Sequence, residues 1–435
     1  MTTSSNTKHT ERIVILGGGF GGAYCAQALE KRRRHLDAEV LMLDRNNYFV
    51  FDPLLVEAGT GSLEPRHSLV ALRHFLSSTA FHTAEVLGVD TEAQQVIYQI
   101  VGRDYVSRAS YDHLVFALGS VTLLPDIPGL HEYGFTMKHL ADAMRLRDRA
   151  IYMLELADAT PEPERRRALL HFVVVGGSFT GVEVAGQYLM YLRQACRQYR
   201  TLRPEECTVT LIQRGKHLLP VFDSDLADYA TAQLQRQGVQ VRLQTTATEV
   251  RHDQLHLNNG ETLQTHTVIW CAGIQPNPLV QHLPFPVDDK GYILCERDLR
   301  VQGFDNIWAI GDSAVNPDAE GIPYPATAQH AVRQAAHLAR NLERVLRHEP
   351  SQPCDIQSPG QLAALGNYKG VGKVKGWKFS GFFAWFLWRT VYLVKMPGWS
   401  RSIRVALDWT LELFFSKDYV PLGVVSSRQG HASDK

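Results

Sequence analysis

An unbroken apolar run, Ile13-Val14-Ile15-Leu16, stops at Gly17-Gly18-Gly19-Phe20-Gly21-Gly22, and a helical stretch over 23–31 follows. A second apolar run then ends on an acid, Val40-Leu41-Met42-Leu43-Asp44. Short apolar runs bounded by glycine predict strands covered on both faces, as in a parallel α/β sheet. About 160 residues later the same order returns: an apolar run over 169–175, a turn at Gly176-Gly177-Ser178-Phe179-Thr180-Gly181, a helix, and a strand over 208–212 that ends at Gln213-Arg214. Such a repeat predicts two nucleotide-binding modules of one architecture. The second halves match as well, since the strand before Ala117-Leu118-Gly119 is echoed by the one ending at Ala272-Gly273.

Between these landmarks the pattern predicts strands over 84–89 and 95–100, with 102–110 as a connection, and a helix over 139–157. Further on it predicts a helix over 223–237, a strand over 239–243, small strands over 248–257, and a strand over 306–310 that leads into Gly311-Asp312. A helix from the segment at 325–334 runs to about residue 346, and 350–359 is a Pro/Ser/Gln linker. The small residues of 53–62 suit close approach to a ligand or to neighbouring backbone. Residues 1–11 form a polar lead with no apolar core that could serve as a secretory signal, and are expected to be disordered.

The first glycine turn carries G-x-G-x-x-G at Gly17, Gly19 and Gly22, set between strand and helix, with Asp44 closing the next strand. Gly17 permits the tight turn, Gly19 lets backbone approach a pyrophosphate, Gly22 lets helix pack on strand, and Asp44 accepts from ribose hydroxyls. The second copy departs from the pattern at Ser178, whose Cβ narrows that approach while its hydroxyl offers a donor. Its strand ends on a neutral amide and an arginine, Gln213-Arg214, where NADH-using proteins carry an acid. Removing that charge and adding a guanidinium favours a 2′-phosphate, so NADPH is expected to serve at least as well as NADH.

Composition narrows the chemistry. Lys+Arg and Asp+Glu balance at 45 each in 435 residues, so overall charge points to no nucleic-acid partner. Six cysteines (Cys25, Cys196, Cys207, Cys271, Cys295, Cys354) show no C-x-x-C spacing, and no Ser/His/Asp or metal-ligating cluster stands out. No apolar run is long enough to span a bilayer. Two nucleotide modules on one chain imply electron transfer between two nucleotides.

The chain resembles the two-dinucleotide-binding-domain flavoproteins, and within them the type II NAD(P)H:quinone oxidoreductases, over about residues 11 to 420. The resemblance rests on the paired fingerprints, Gly311-Asp312, the run Ala328-Gln329-x-Ala331-x-x-Gln334, and Ser380-Gly381-Phe382-x-Ala384-Trp385-x-x-Trp388. It implies an α/β fold of two Rossmann-like domains, glutathione-reductase-like, with the second inserted in the first. An FAD domain would comprise 11–125 and 296–350, an NAD(P)H domain 126–295, and a C-terminal membrane-anchoring segment 361–435. It further implies that FAD lies against Gly17, Gly19, Gly22, Asp44, Ala117, Gly119, Gly311, Asp312, Ala328 and Gln329. NAD(P)H would lie against Gly176, Ser178, Gly181, Gln213, Arg214, Ala272 and Gly273. Asp312 has a competing reading as the N-cap of the next helix. Glu183 is either a helix-start carboxylate favoured by the macrodipole or, by the resemblance, the acid that helps deliver protons during quinone reduction. Gln187 stands where relatives often have a second acid, which leaves a two-carboxylate relay without its partner in sequence. Gln329 is the second residue expected to be catalytic.

Between Lys369 and Arg404 there are eight Lys/Arg (Lys369, Lys373, Lys375, Lys378, Arg389, Lys395, Arg401, Arg404) and no acid, interleaved with aromatics from Trp377 to Trp399. Over 401–416, Ile403, Ala406, Leu407, Thr410, Leu411 and Phe414 share one helical face. Residues 369–416 are expected to lie on an anionic lipid surface, the alternatives being packing on the flavin domain or a homodimer interface. The resemblance implies a peripheral respiratory-chain enzyme on the cytoplasmic face of the plasma (inner) membrane. It would oxidise NAD(P)H and reduce a quinone through FAD without pumping protons. Competing readings are a sulfide:quinone reductase or other FAD-dependent pyridine nucleotide reductase, which would need poised cysteines in the first case, and a flavin-loaded redox sensor without significant turnover.

Overall fold

A computed structural model describes residues 10–33, 37–358 and 360–423. The chain folds as two compact units. The first draws on Met1–Phe49, Leu69–Val121 and Ile274–Ser358, the second on Val50–Ser68, Thr122–Gly273 and Pro359–Lys435. Of the polar lead, residues 1–9 lie outside the described residues, and Glu11 already opens the first strand.

In the first unit five parallel strands follow the order Ile307–Ala309, His113–Phe116, Glu11–Leu16, Ala38–Asp44, Ala80–Asp90. The sheet continues antiparallel through Gln95–Ile100 and Val106–Ser110. Period-two alternation sends Ile13 and Ile15 to one face, against Ala23, Ala26 and Leu29 of helix Phe20–Glu30 and Leu338 and Leu342 of helix Ala328–Leu346. Val14 and Leu16 go to the other face, against Val96, Tyr98, Ala109 and Phe285. The central strand is thus covered on both sides, which is why it reads as one apolar run. Strand Val106–Ser110 corrects the expected connection over 102–110: it is a sheet edge with only Ala109 buried, too little for an apolar alternation to show.

The second unit repeats the plan. Its parallel sheet runs Gly134–Thr136, Thr267–Trp270, His171–Val175, Thr208–Gln213, Val239–Leu243. Phe172 and Val174 pack on Val182, Ala185 and Leu189 of helix Phe179–Cys196. Val173 and Val175 face Leu255, Leu257 and Leu263 of a small antiparallel sheet.

Beyond residue 359 the chain forms an antiparallel sheet, Gly360–Ala364, Gly370–Val374 and Trp377–Ser380, and two helices, Gly381–Lys395 and Trp399–Leu411. The expected helix over 401–416 therefore starts earlier and ends at Leu411, where Glu412 turns its carboxylate onto the Ser62 hydroxyl at 2.7 Å. Ala363, Leu365 and Val371 of this sheet share a core with Phe172 and Val174. The approach depends on Gly186 in mid-helix, where a Cβ would stand 2.3 Å from the Leu365 carbonyl oxygen. Residues 53–62, expected only as a close-approach segment, contain a buried helix, Leu55–Gly59. A Cβ on Gly59 would meet the Tyr188 hydroxyl at 3.0 Å, so the close approach is to protein.

A Cβ on Gly22 would lie 1.9 Å from the Gly17 carbonyl oxygen. Gly22→Ala is expected to destabilise the first unit by about 3 kcal/mol, the upper end of ordinary overpacking, and to lower its thermal midpoint by roughly 2–4 °C per kcal/mol. Differential scanning calorimetry against wild type checks this.

Candidate functional site

Each unit builds its glycine turn by the same device. Gly17 has φ +98, and a Cβ there would sit 2.3 Å from the Ala117 carbonyl; Gly176 has φ +111, and a Cβ there would sit 2.8 Å from the Ala272 amide nitrogen. Both turns therefore lie against the end of a neighbouring strand with no room for a side chain. Gly181 repeats Gly22, its Cβ position 1.8 Å from the Gly176 carbonyl oxygen. The helices that follow begin at Gly19 and Ser178; neither has a side-chain cap, and neither has an acid in its first turn. Their N–H groups and the positive end of the helix dipole are suited to an anion. A Cβ on Gly19 would meet nothing within 4 Å, so the approach to these donors is open, as a pyrophosphate requires.

Asp44 is tied into the first turn, its two oxygens accepting from the Gly18 amide at 2.6 Å and the Asn46 amide at 2.7 Å. Burial raises its pKa despite these bonds. Gln213 does the same work in the second unit: Oε1 accepts from the Gly177 amide at 3.0 Å, and Nε2 donates to the His217 carbonyl at 3.3 Å. The strand-end residue thus braces the turn whether it is acid or amide, and exposed Arg214 stands beside it. The Ser178 hydroxyl donates to the Cys271 carbonyl at 3.3 Å. Gly119 and Gly273, at φ +68 and +84, close the return strands of the two units.

In the first unit, Gly311-Asp312-Ser313 forms a 3-10 turn past strand Ile307–Ala309. Asp312 Oδ2 accepts from the Ser120 hydroxyl at 3.1 Å, and the Gly119 amide donates to the Ser313 hydroxyl at 3.2 Å. The Gly311 amide donates to Gln334 Oε1 at 2.8 Å, so Gln334 couples helix Ala328–Leu346 to this turn. The N-cap position of that helix is Thr327, which removes the reading of Asp312 as its N-cap. Ala328 and Gln329 occupy its first turn, with Gln329 Nε2 donating to the Ser358 hydroxyl at 3.1 Å.

Glu183 lies in the second unit on helix Phe179–Cys196 and is only 8% exposed. Its Oε1 accepts from the Ala364 amide at 3.1 Å, and the Trp388 indole also bonds to it. Burial, reinforced by the charge of Glu57, raises its pKa to about 8. It is therefore a neutral acid at pH 7.

Beside it stands a charged network that the pattern of motifs did not announce. Glu57, 3% exposed, accepts from Trp409 Nε1 at 2.7 Å and from Arg389 Nη2 at 3.3 Å. The Arg389 guanidinium stacks between the rings of Trp385 and Trp409 at 4.6 and 4.5 Å and reaches Glu412 at 3.4 Å. Lys417 binds Glu412 at 3.2 Å, the Ser62 hydroxyl at 2.7 Å and the Thr60 carbonyl at 3.1 Å. An acid set inside the apolar stretch Leu54-Leu55-Val56-Glu57-Ala58 was the available signal.

The tail turns large apolar side chains outward. Phe382, Phe386, Ile403, Leu407 and Leu411 are exposed, with Trp399 at 79% and Phe414 at 77%, while Val405 and Trp409 face inward. Its positive charge is smaller than composition suggests, because Lys373 pairs with Asp223, Lys378 pairs with Asp223 and Asp225, and Arg389 pairs with Glu57 and Glu412. Among the described residues no helix is long and apolar enough to cross a membrane. All six cysteines are free, and Cys196 and Cys207 are fully buried in the second unit's core.

Two uncapped glycine-turn helices, one per unit, define a protein built for two nucleotides. The chain belongs to the pyridine nucleotide-disulphide oxidoreductases, whose family model matches residues 11–335, and residues 359–418 match the NDH2 C-terminal domain. It is 33% identical over 405 residues to demethylphylloquinone reductase NdbB of Synechocystis, covering 92% of this chain and 95% of that one. It is 28% identical over 418 residues to the type II NADH:quinone oxidoreductase Ndh of Mycobacterium tuberculosis, covering 92% and 87%. The structure of NDH2 from Plasmodium falciparum in complex with NADH superposes with a TM-score of 0.85 at 20% identity, over 95% of this chain and all of that one, a likeness of fold.

Because folding raises the pKa of Glu183 from the ordinary 4.5 to about 8, the folded state binds more protons than the unfolded state in that window. The stability this group contributes is whole below 4.5 and is lost as pH rises through 8. Urea midpoints of the second unit measured from about pH 5 to about pH 9 are expected to fall less steeply in Glu183→Gln than in wild type.

Proposed function

We propose that this chain is a peripheral membrane FAD enzyme that oxidises NAD(P)H and reduces a quinone by two electrons without pumping protons. The observation that carries the proposal is the pair of matched, uncapped glycine-turn helices, one in each unit, in a chain whose C-terminal helices expose aromatic side chains. FAD fits the first unit: Gly17, Gly19 and Gly22 leave the pyrophosphate its approach, Asp44 meets the ribose, and Ala117, Gly119, Gly311 and Asp312 line the route beyond. Ala328 and Gln329, at a helix N-terminus, present dipoles to the isoalloxazine edge. Bound FAD supplies the hydride acceptor and the two-electron donor that protein side chains lack.

In the second unit Gly176, Ser178, Gly181, Ala272 and Gly273 hold NAD(P)H. Ser178 keeps the turn rigid through Cys271. Gln213, already spent on bracing the turn, brings no charge to repel a 2′-phosphate, and exposed Arg214 can pair with one. Glu183, neutral at pH 7, donates a proton to the quinone oxygen as electrons arrive. Quinol formation takes one proton from water per turnover, the other hydrogen equivalent coming with NAD(P)H. Full burial of Cys196 and Cys207 argues against sulfide chemistry at that pair.

The membrane is the proposed partner of residues 369–416, on the cytoplasmic face of the plasma (inner) membrane, where NAD(P)H is supplied. With Lys373, Lys378 and Arg389 engaged internally, apolar insertion carries more of the binding than charge does.

In an anaerobic titration NADPH is expected to bleach the flavin at least as fast as NADH, and a quinone analogue to restore it within one turnover time. A kcat/KM for NADH far above that for NADPH overturns the specificity, and bleaching without quinone reoxidation makes the protein a sensor. Gln213→Glu keeps the acceptor for the Gly177 amide but adds a charge, and is expected to shift the kcat/KM ratio about ten-fold or more toward NADH.

Removing everything beyond residue 360 would also strip Ala363, Leu365 and Val371 from the core, so point changes are the cleaner test of anchoring. Phe386→Glu with Leu407→Glu and Phe414→Glu is expected to release folded, flavin-loaded protein from anionic vesicles in a flotation assay. Retention on vesicles points to another anchor, and a change of sedimentation coefficient without vesicles points to a homodimer face.

A further inference from the structure

Glu183 is a buried acid that must be recharged with a proton at each turnover, and helix Phe179–Cys196 offers no second acid one turn on: Gln187 stands there, its Oε1 accepting from the Thr60 hydroxyl at 3.3 Å. The second carboxyl comes instead from helix Leu55–Gly59, as Glu57. Glu57 lies at the floor of a cleft of about 310 Å³ within the second unit. Thr60, Gln187 and Ala364 also line the floor, and the exposed Tyr368 and Phe415 stand at the mouth. Ala364 is the residue whose amide binds Glu183, so cleft and acid share a wall. The cleft has room and polar partners for several waters.

We propose that Glu57 is the second carboxyl of a proton relay: it takes a proton from water in this cleft and passes it to Glu183, while Arg389, Glu412 and Lys417 hold it in position. The inference rests on the reading of the chain as a quinone reductase with Glu183 as proton donor. Glu183 gives its proton to the quinone oxygen in the same transition state in which it receives the one on Glu57. Glu57 then breaks an O–H bond of a cleft water, and bulk buffer neutralises the hydroxide. No electron moves in the relay, since both come from NAD(P)H.

The surroundings suit the role. Glu57 faces Arg389, Trp409, Glu412 and Lys417, and Glu183 faces Glu57, the Trp388 indole, the Tyr392 hydroxyl and the Ala364 amide. Arg389 Nη2 and Trp409 Nε1 donate to opposite oxygens of Glu57, which fixes the carboxyl. Burial outweighs these donors and raises the Glu57 pKa, so proton exchange with Glu183 is between groups shifted the same way. Arg389 lines the cleft, and its Nε is buried with no hydrogen-bond partner among the described residues.

The test is stopped-flow spectroscopy of the holoenzyme from about pH 6 to about pH 9, with NAD(P)H reduction and reoxidation by a short-chain quinone followed separately. In Glu57→Gln, flavin reduction is expected to stay within about two-fold of wild type while reoxidation slows about 10²-fold and loses its pH dependence; Glu57→Asp recovers most of the rate. Reoxidation at the wild-type rate in Glu57→Gln overturns the relay and leaves the quinone-reductase reading intact. Wild-type protein that NAD(P)H reduces but no quinone reoxidises overturns both. Should Glu57→Gln fail to hold flavin, a proton inventory of wild-type reoxidation decides: a curved plot is the signature of two protons in flight, and a linear plot overturns the relay.

Discussion

Backbone lying directly on backbone is the constraint on which the rest of the molecule depends. Gly17 against Ala117, Gly22 against Gly17, Gly176 against Ala272, Gly181 against Gly176 and Gly186 against Leu365 all approach to distances that exclude a Cβ. The first four close the two glycine turns and set helix N-termini over strand ends, which leaves their N–H groups suited to an anion. The fifth brings the C-terminal sheet onto helix Phe179–Cys196, and only that contact places the Ala364 amide on Glu183. A side chain at any of these positions would move a functional group, not merely a packing surface.

Bringing the sheet so close buries charge that must be answered. Glu57 and Glu412 are matched by Arg389 and Lys417, and each charged group has at least one oppositely charged partner in the same cluster. The desolvation cost of such a cluster makes it a poor source of stability, since apolar residues of similar volume could fill the space at less cost. Removing one member would leave its partner buried and uncompensated, so the cluster is better understood as fixing where the C-terminal helices sit. Burial lowers the pKa of Lys417 and raises that of Glu57, so each is shifted toward its neutral form.

Much of this architecture was legible because it is written in local patterns. The apolar run at 13–16, its repeat at 169–175 and the glycine turns after them carry period and punctuation in adjacent residues, and strands and helices formed there, the second strand starting at His171 because Leu169 ends a short helix. The role of Gln213 could not be read, because its substitution for an acid suggests altered ligand chemistry, whereas the carboxamide also does the acid's other task of bracing the turn. The cluster around Glu57 was illegible for a different reason. Its members come from residues 57, 389, 412 and 417, far apart in sequence, and no periodicity links a short buried helix near the start to charges near the end. Edge strand Val106–Ser110, with one buried side chain, lay below what alternation can reveal.

Close backbone approach and buried charge meet in the C-terminal helices. Helix Trp399–Leu411 is apolar on the side that faces out, through Leu407 and Leu411, while its inward side carries Trp409, which donates to Glu57. Apolar burial on the inward side of this helix is limited to Val405 and Trp409. What holds it in this orientation is polar: a Trp409 indole bond to a buried carboxyl, Arg389 stacked between two tryptophans, and Glu412 shared by Arg389 and Lys417. The same inward contacts therefore leave Leu407 and Leu411 facing outward. The outward-facing helix and the buried acid cluster are therefore one structural unit, because the bonds that fix Glu57 also fix the helix.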